Sequence, residues 1–136
     1  MIGVLIVAHG HFGLACEEVA KHFFGEKPLH VRCLCVHAHD DVEVLKCQVK
    51  QLRDEIDFGH GVLILNDIFG ATPFNISKEL IDERTVLLTG ANVPMVVRAA
   101  SYGMSSDDVQ VLLAETKKAA FEGIIDITVS NMEQYD

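Results

Sequence analysis

The chain has 136 residues and a net charge of −9, and 49% of its residues are hydrophobic. This length suits one domain, and so large an apolar fraction excludes a disordered chain. Such an acidic chain also lacks the basic surface that a nucleic-acid-binding protein needs. We therefore expect one folded domain over residues 1–136 that binds no nucleic acid.

Short apolar segments alternate with amphipathic segments along the chain. The apolar segments are rich in branched side chains and predict strands at residues 2–8, 29–36, 62–65, 85–88 and 123–129. The first of them is too short to cross a bilayer, which takes roughly 20 apolar residues. Apolar residues at helical spacing predict helices over residues 12–23, 41–56 and 109–120.

Alternating strands and helices favour a parallel sheet that is covered on both faces. Because crossovers are right-handed, few topologies remain, and we predict the flavodoxin-like strand order 2-1-3-4. The predicted fold class is α/β, a single-domain three-layer sandwich with a mainly parallel central sheet and an additional C-terminal strand. Ligands of such sheets lie beyond the carboxyl ends of the strands at the switch point, which here means the segments after Ala8 and Leu65.

A histidine and an aspartate occupy these two positions. His9 directly follows the first predicted strand. Asp67 lies two residues after Leu65, the end of the third predicted strand. Since these strands are neighbours in the predicted order, the two side chains should face each other. A carboxylate that accepts a hydrogen bond from one ring N–H fixes the tautomer of a histidine and leaves the other nitrogen as a nucleophile. His9 is therefore the candidate nucleophile, and Asp67 is its candidate partner.

The segment after Asp67 has features of an anion site. Thr72 followed by Pro73 predicts an N-cap and the first residue of a helix. The free N–H groups and the positive dipole end of this helix suit a phosphoryl group, and the small residues Gly70 and Ala71 allow close approach. We therefore predict phosphate binding at Gly70, Ala71 and Thr72.

The rim of this site contains apolar residues in a loop. Ile68 and Phe69 either pack into the core or form an exposed rim against which a partner docks, and we favour the rim. His11 is interpreted as a further rim residue.

Three segments resemble the enzyme IIA domain of the mannose family of the bacterial phosphoenolpyruvate-dependent sugar phosphotransferase system (PTS). They are AHG at residues 8–10, DIFGATPFN at residues 67–75 and GANVPM at residues 90–95. The resemblance runs in order from Ile2 to about Gly123. It implies a homodimer with the C-terminal strand at the dimer interface.

The resemblance also implies a reaction and its partners. The phosphocarrier protein HPr would phosphorylate the histidine that matches His9, and an enzyme IIB would receive the phosphoryl group. Asp67 matches the aspartate that orients this histidine, and Thr72 matches the small hydroxyl residue before the proline. It implies a cytoplasmic protein that needs no cofactor and reaches the membrane only through permease subunits.

Alternative functions start from other histidines and cysteines. Cys33, Cys35 and His37 share one face of the second predicted strand, and with His39 they are conceivable zinc ligands. Their spacing matches no common zinc site, so we favour thiols that pack as apolar groups in a strand covered on both sides, and predict no metal.

A tetrapyrrole metal chelatase is a second alternative, because some chelatases also begin with a strand that runs into His-Gly. Such an enzyme would need a second metal-binding histidine, and the candidate, His60, precedes the third strand and should lie at the wrong end of the sheet. A regulatory phosphocarrier and a subunit that serves dihydroxyacetone kinase also stay open, and the sequence names no sugar.

Overall fold

A single sheet of four strands organises the protein in the computed structural model, which describes residues 1–136. The strands are β1 Gly3–His9, β2 Val31–Val36, β3 Val62–Asn66 and β4 Thr85–Leu88. All neighbouring pairs are parallel, and the order across the sheet is β2-β1-β3-β4. The predicted α/β class and the predicted order 2-1-3-4 are confirmed.

Helices cover both faces of this sheet. They are α1 Phe12–Phe24, α2 Val42–Glu55, α3 Thr72–Ser77, α4 Val93–Gly103 and α5 Val109–Glu122. Buried residues of α1, α4 and α5 form one apolar cluster with the sheet, and buried residues of α2 and α3 form another. The result is the predicted three-layer arrangement. None of the helices has the length and apolar character of a membrane span.

The helix α4 is absent from the sequence prediction. Its first turn nevertheless carries two start signals: Asn92 accepts a hydrogen bond from Met95 N at 3.0 Å, and Pro94 lies in the first turn. An asparagine cap followed by proline is a common helix start. Both start signals are present in the sequence, within the GANVPM segment at residues 90–95.

The edge strand β2 is shorter and more exposed than predicted. It begins at Val31 instead of Leu29, which is 87% exposed. Residues 32–35 are only partly buried, although a strand covered on both sides was expected. An edge strand has a neighbour on one side only, so solvent reaches it from the other.

The predicted C-terminal strand is not formed within the single chain, and its place at a dimer interface stays a prediction. Residues 123–129 form no strand, and the hydrogen bonds of this segment are local, such as Ile124 N to Phe121 O and Thr128 N to Asn131 Oδ1. A strand exists only where a second backbone satisfies its N–H and C=O groups, and the chain offers this segment none. The segment therefore exposes a set of large apolar side chains: Ile124, Ile125, Ile127 and Val129.

Candidate functional site

His9 and Asp67 meet at the C-terminal edge of the sheet, where β1 and β3 lie side by side. His9 Nδ1 lies 2.9 Å from Asp67 Oδ2. The same oxygen accepts the backbone N–H of His9 at 3.0 Å, and Asp67 Oδ1 accepts the N–H of Ile68 at 3.0 Å. The structure thus brings together the two residues that the sequence selected.

The protonation of the pair follows from these contacts. Partial burial acts to raise the pKa of Asp67, but the hydrogen bonds and charge of His9 outweigh it and hold that pKa below its ordinary value. An ionised carboxylate only accepts hydrogen bonds, so Nδ1 of His9 must carry a proton when the bond forms. In the neutral ring Nε2 is then unprotonated. The His9 side chain is 48% exposed, so this nitrogen can be reached from solvent.

A tight turn presents His9 at the end of β1. Gly10 has φ of +56°, a left-handed conformation that favours glycine, and its N–H donates to Val36 O at 2.8 Å. The helix α1 begins two residues later, at Phe12. Two contacts therefore fix the position of His9. Asp67 binds it from the end of β3, and the next residue, Gly10, is hydrogen-bonded to the end of β2.

The loop after Asp67 leads into α3. Gly70 has φ of +83°, and neither Gly70 N nor Ala71 N donates to a backbone carbonyl. Thr72 is the first residue of α3, and the N-cap is Ala71, so the predicted cap at Thr72 is wrong by one residue. The reason is that proline fits anywhere in the first turn of a helix, where its missing N–H costs no hydrogen bond.

The predicted rim residues lie on the surface. Ile68 is 56% exposed and Phe69 is 72% exposed, with the Phe69 ring 4.8 Å from the ring of Phe74. His11 is also exposed, and its ring lies edge-on to that of His37 at 5.7 Å. The loops that hold the predicted site residues, 9–11 and 66–71, contain no lysine or arginine.

The cysteines and the remaining histidines form no metal site. No three or more His, Cys, Asp or Glu side chains are grouped so that they could hold a metal ion. Burial, together with the nearby Glu17 carboxylate and the Cys35 thiol, raises the pKa of Cys33 to about 12, so its thiol stays protonated. His60 lies at the other end of the sheet from His9. Its Nδ1 is 3.4 Å from the N-terminal amine of Met1.

A buried asparagine that the sequence did not single out lies directly before Asp67. Asn66 ends β3 and is fully buried, with its Nδ2 donating to Val7 O at 2.9 Å. The signal was a single amide at the end of the apolar run of residues 62–65, directly before Asp67.

The comparisons with known proteins identify the family of the chain. A family described as "PTS system fructose IIA component" (EIIA-man) has a model that matches residues 3–117. The chain belongs to this family. It is a phosphoryl-transfer component of the sugar PTS, and the predicted resemblance to enzyme IIA is confirmed. The alternative interpretation as a tetrapyrrole chelatase has no support.

Similar proteins cover most of the chain. The fructose-specific EIIA component of Bacillus subtilis is 32% identical over 103 residues, which is 74% of this chain and 70% of that protein. The mannose-specific EIIAB component of Escherichia coli K12 is 25% identical over 128 residues, or 90% of this chain and only 39% of that longer protein.

Solved structures show the same fold. The phosphotransferase system component EIIA from Streptococcus agalactiae superposes with a TM-score of 0.81 at 26% identity, covering 93% of this chain and 97% of that one. The mannose/sorbose-specific IIA subunit from Enterococcus faecalis has a TM-score of 0.80 at 17% identity, with 94% and 96% covered. The latter likeness concerns the fold alone.

Proposed function

We propose that His9 accepts a phosphoryl group from phospho-HPr and passes it to an enzyme IIB partner. The observation that carries the proposal is the 2.9 Å contact between His9 Nδ1 and Asp67 Oδ2. It commits one ring nitrogen to the carboxylate and leaves the other as a nucleophile.

The chemistry requires no proton acceptor for the first step. The lone pair of His9 Nε2 attacks phosphorus, the new N–P bond forms, and the bond from phosphorus to the donor group of HPr breaks. The ring keeps its Nδ1 proton and becomes positively charged. Asp67 faces that proton and stabilises the charge. In the second step the enzyme IIB nucleophile attacks phosphorus, and the N–P electron pair returns to the ring.

We further propose that Gly70, Ala71 and Thr72 receive the phosphoryl oxygens. Two N–H groups without a carbonyl partner, on Gly70 and Ala71, support this role. The absence of lysine and arginine from the loop fits a group that must leave again, since neutral donors hold a phosphoryl group less tightly than ion pairs do.

Ile68 and Phe69 are proposed to form the docking rim for HPr and enzyme IIB. Their exposure next to Asp67 supports this role, because exposed apolar side chains beside a site are typical of a surface that binds a partner protein. The proposal places residues 1–136 in the cytoplasm as a single enzyme IIA domain that reaches the membrane only through permease subunits.

The decisive experiment is phosphorylation of the purified protein by enzyme I, HPr and phosphoenolpyruvate. His9→Ala should abolish labelling while the far-ultraviolet circular dichroism stays unchanged, because a half-exposed side chain at a strand end contributes little to the core. His11→Ala, two residues away, is the matched control and should be labelled normally. Undiminished labelling of the His9 variant would rule the proposal out.

We also propose a homodimer in which residues 123–129 pair with a second copy. The exposed apolar side chains of this segment and its lack of any strand partner within the chain support this assembly. Light scattering at micromolar concentration should give twice the chain mass, and truncation after Glu122 should shift the mass towards that of one chain. A monomeric mass for the full chain would contradict the dimer.

A further inference from the structure

Asn66 links three elements of the fold immediately beside the site. It is the one polar residue of β3 and is fully buried. Its Nδ2 donates to Val7 O of β1 at 2.9 Å, and it lies 3.4 Å from both Pro73 O and Ser77 Oγ of α3. Ser77 is itself buried and donates to Pro73 O at 2.6 Å. A single amide therefore joins β1, the end of β3 and the first turn of α3.

Two consecutive side chains continue the pairing of β1 with β3 where the backbone pairing stops. The last backbone pair is Val7 with Asn66. Beyond it, Asn66 Nδ2 donates to Val7 O, and Asp67 Oδ2 accepts from His9 N at 3.0 Å. The same Asp67 oxygen accepts from His9 Nδ1. The position of this oxygen against the His9 ring thus depends on how the end of β3 is held to β1.

The amide also carries a cost that packing alone does not explain. Asn66 Oδ1 is buried and has no hydrogen-bond partner. An unpaired buried acceptor destabilises the folded state, and an apolar side chain of similar size would avoid that penalty. Every other residue of β3 is apolar. We therefore infer that the amide is present at this position for the hydrogen bonds that it donates.

We propose that Asn66 is a positioning residue for the phosphoryl transfer at His9. By tying the end of β3 to Val7 O and to α3, it holds Asp67 Oδ2 where one oxygen meets both His9 N and His9 Nδ1. Asn66 touches neither the ring nor the phosphoryl group and acts only through Asp67. The inference rests on the function proposed for His9 and Asp67.

The test compares Asn66→Leu with the wild type in single-turnover phosphorylation by phospho-HPr. We expect the rate to fall about tenfold, because a misplacement of about 1 Å can cost about 100-fold and the shift of Asp67 should be smaller than that. The ¹⁵N chemical shifts of the His9 ring should show a smaller share of the tautomer that is protonated at Nδ1. A variant that is merely less stable would keep the wild-type ring spectrum while folded.

The matched control is Thr116→Val in α5. Thr116 is fully buried and its hydroxyl has no hydrogen-bond partner, but it belongs to α5, which packs on the other face of the sheet. This isosteric change should leave both the rate and the ring spectrum unchanged. If Asn66→Leu does not fold, Asn66→Thr, which suits a strand and also lacks the amide, takes its place in the same measurements.

A double-mutant cycle separates action through Asp67 from any other role. In an Asp67→Ala background, Asn66→Leu should change the rate less than about twofold, since its partner is gone. A tenfold loss that persists in that background would overturn the inference, and so would a folded Asn66 variant with the wild-type rate and ring spectrum. His9→Ala is measured alongside. Labelling of that variant would refute the proposed function itself. If that variant is not labelled, the results for the Asn66 variants test only the role of Asn66.

Discussion

His9 and His30 lie at opposite ends of the same sheet, and their surroundings give them opposite chemistry. His9 ends β1 at the C-terminal edge, where its ring is 48% exposed and faces a carboxylate. His30 precedes β2 at the N-terminal edge, is 2% exposed, and its Nε2 donates to Ala100 O at 2.8 Å. The fixed Nδ1 and the exposed side chain suit His9 to the nucleophilic role proposed above, whereas burial makes His30 a core residue.

The two edges differ because of what fills the space beyond the strands. At the C-terminal edge, loops and helix starts leave an open surface with N–H groups that no carbonyl takes up. At the N-terminal edge, the end of α4 packs over the sheet, with Gly103 O accepting from Ile2 N at 2.8 Å. A Cβ at Gly103 would lie 3.0 Å from Ile2 O, so the glycine allows α4 to approach the start of β1 closely.

The largest effect on the rate of phosphoryl transfer is expected for Asp67, whose carboxylate contacts His9 and has no counterpart at His30. Asp67→Asn keeps the shape but removes the charge and presents a donor in place of an acceptor. Phosphorylation of His9 by phospho-HPr should slow about 100-fold or more, while slow labelling persists because Nε2 remains. The measurement is a rapid-quench time course.

Asp57→Asn is the matched control for this change. Asp57 lies before β3 at the other end of the sheet. Burial acts to raise its pKa, but hydrogen bonds from the N–H groups of Gly59 and Gly61 and the charge of Arg84 hold that pKa below its ordinary value. This variant should lose stability and keep the wild-type transfer rate. Equal rates for the wild type and Asp67→Asn would show that Asp67 does not orient His9.

A smaller effect is expected at the proposed docking rim. Phe69→Ser removes an exposed apolar side chain next to the site, and the KM for phospho-HPr should rise about tenfold with little change in kcat. Leu29→Ser is the control at the opposite edge, where an even more exposed apolar residue should have no effect on transfer. If both variants bind HPr as the wild type does, the rim lies elsewhere.

The smallest effect concerns pH and the buried histidine. Burial lowers the pKa of His30 below its ordinary value of 6.5, with the hydrogen bond to Ala100 acting against this and the N-terminal amine reinforcing it. The stability that a neutral His30 contributes is complete above pH 6.5 and is lost as the pH falls towards the folded-state pKa. The loss from this group is at most about 1.4 kcal/mol per pH unit.

His30→Gln, which keeps a donor for Ala100 O, should flatten this part of the stability curve in urea unfolding between about pH 5 and pH 6.5. Asp57→Asn should not flatten it, because the low pKa of Asp57, whose charged partner is Arg84, places its contribution below its ordinary value of 3.8. A His30 variant with the wild-type slope would show that His30 is not the group that titrates.

The sequence predicts an element well where the signal is local, and it leaves the element open where a strand depends on a second backbone. β4 at Thr85–Leu88 matches its predicted range, and α2 matches within one residue at each end, because Asp41 caps it. The strand predicted at residues 123–129 is not formed within the single chain, since an apolar segment pairs only where a partner edge exists, and its pairing at a dimer interface stays a prediction.

The features of the candidate site also fall into those that the sequence predicts and those that depend on the tertiary structure. Residue types and strand-end positions were enough to select His9 and Asp67, and the family resemblance pointed to phosphoryl transfer. The sequence by itself also determined the alternation of strands and helices and hence the parallel sheet. Only the tertiary structure decided that one Asp67 oxygen meets two nitrogens of His9, and that the Asn66 amide ties both strands to α3. These contacts join residues 58 and 59 positions apart, so they exist only after the sheet has brought β1 and β3 together.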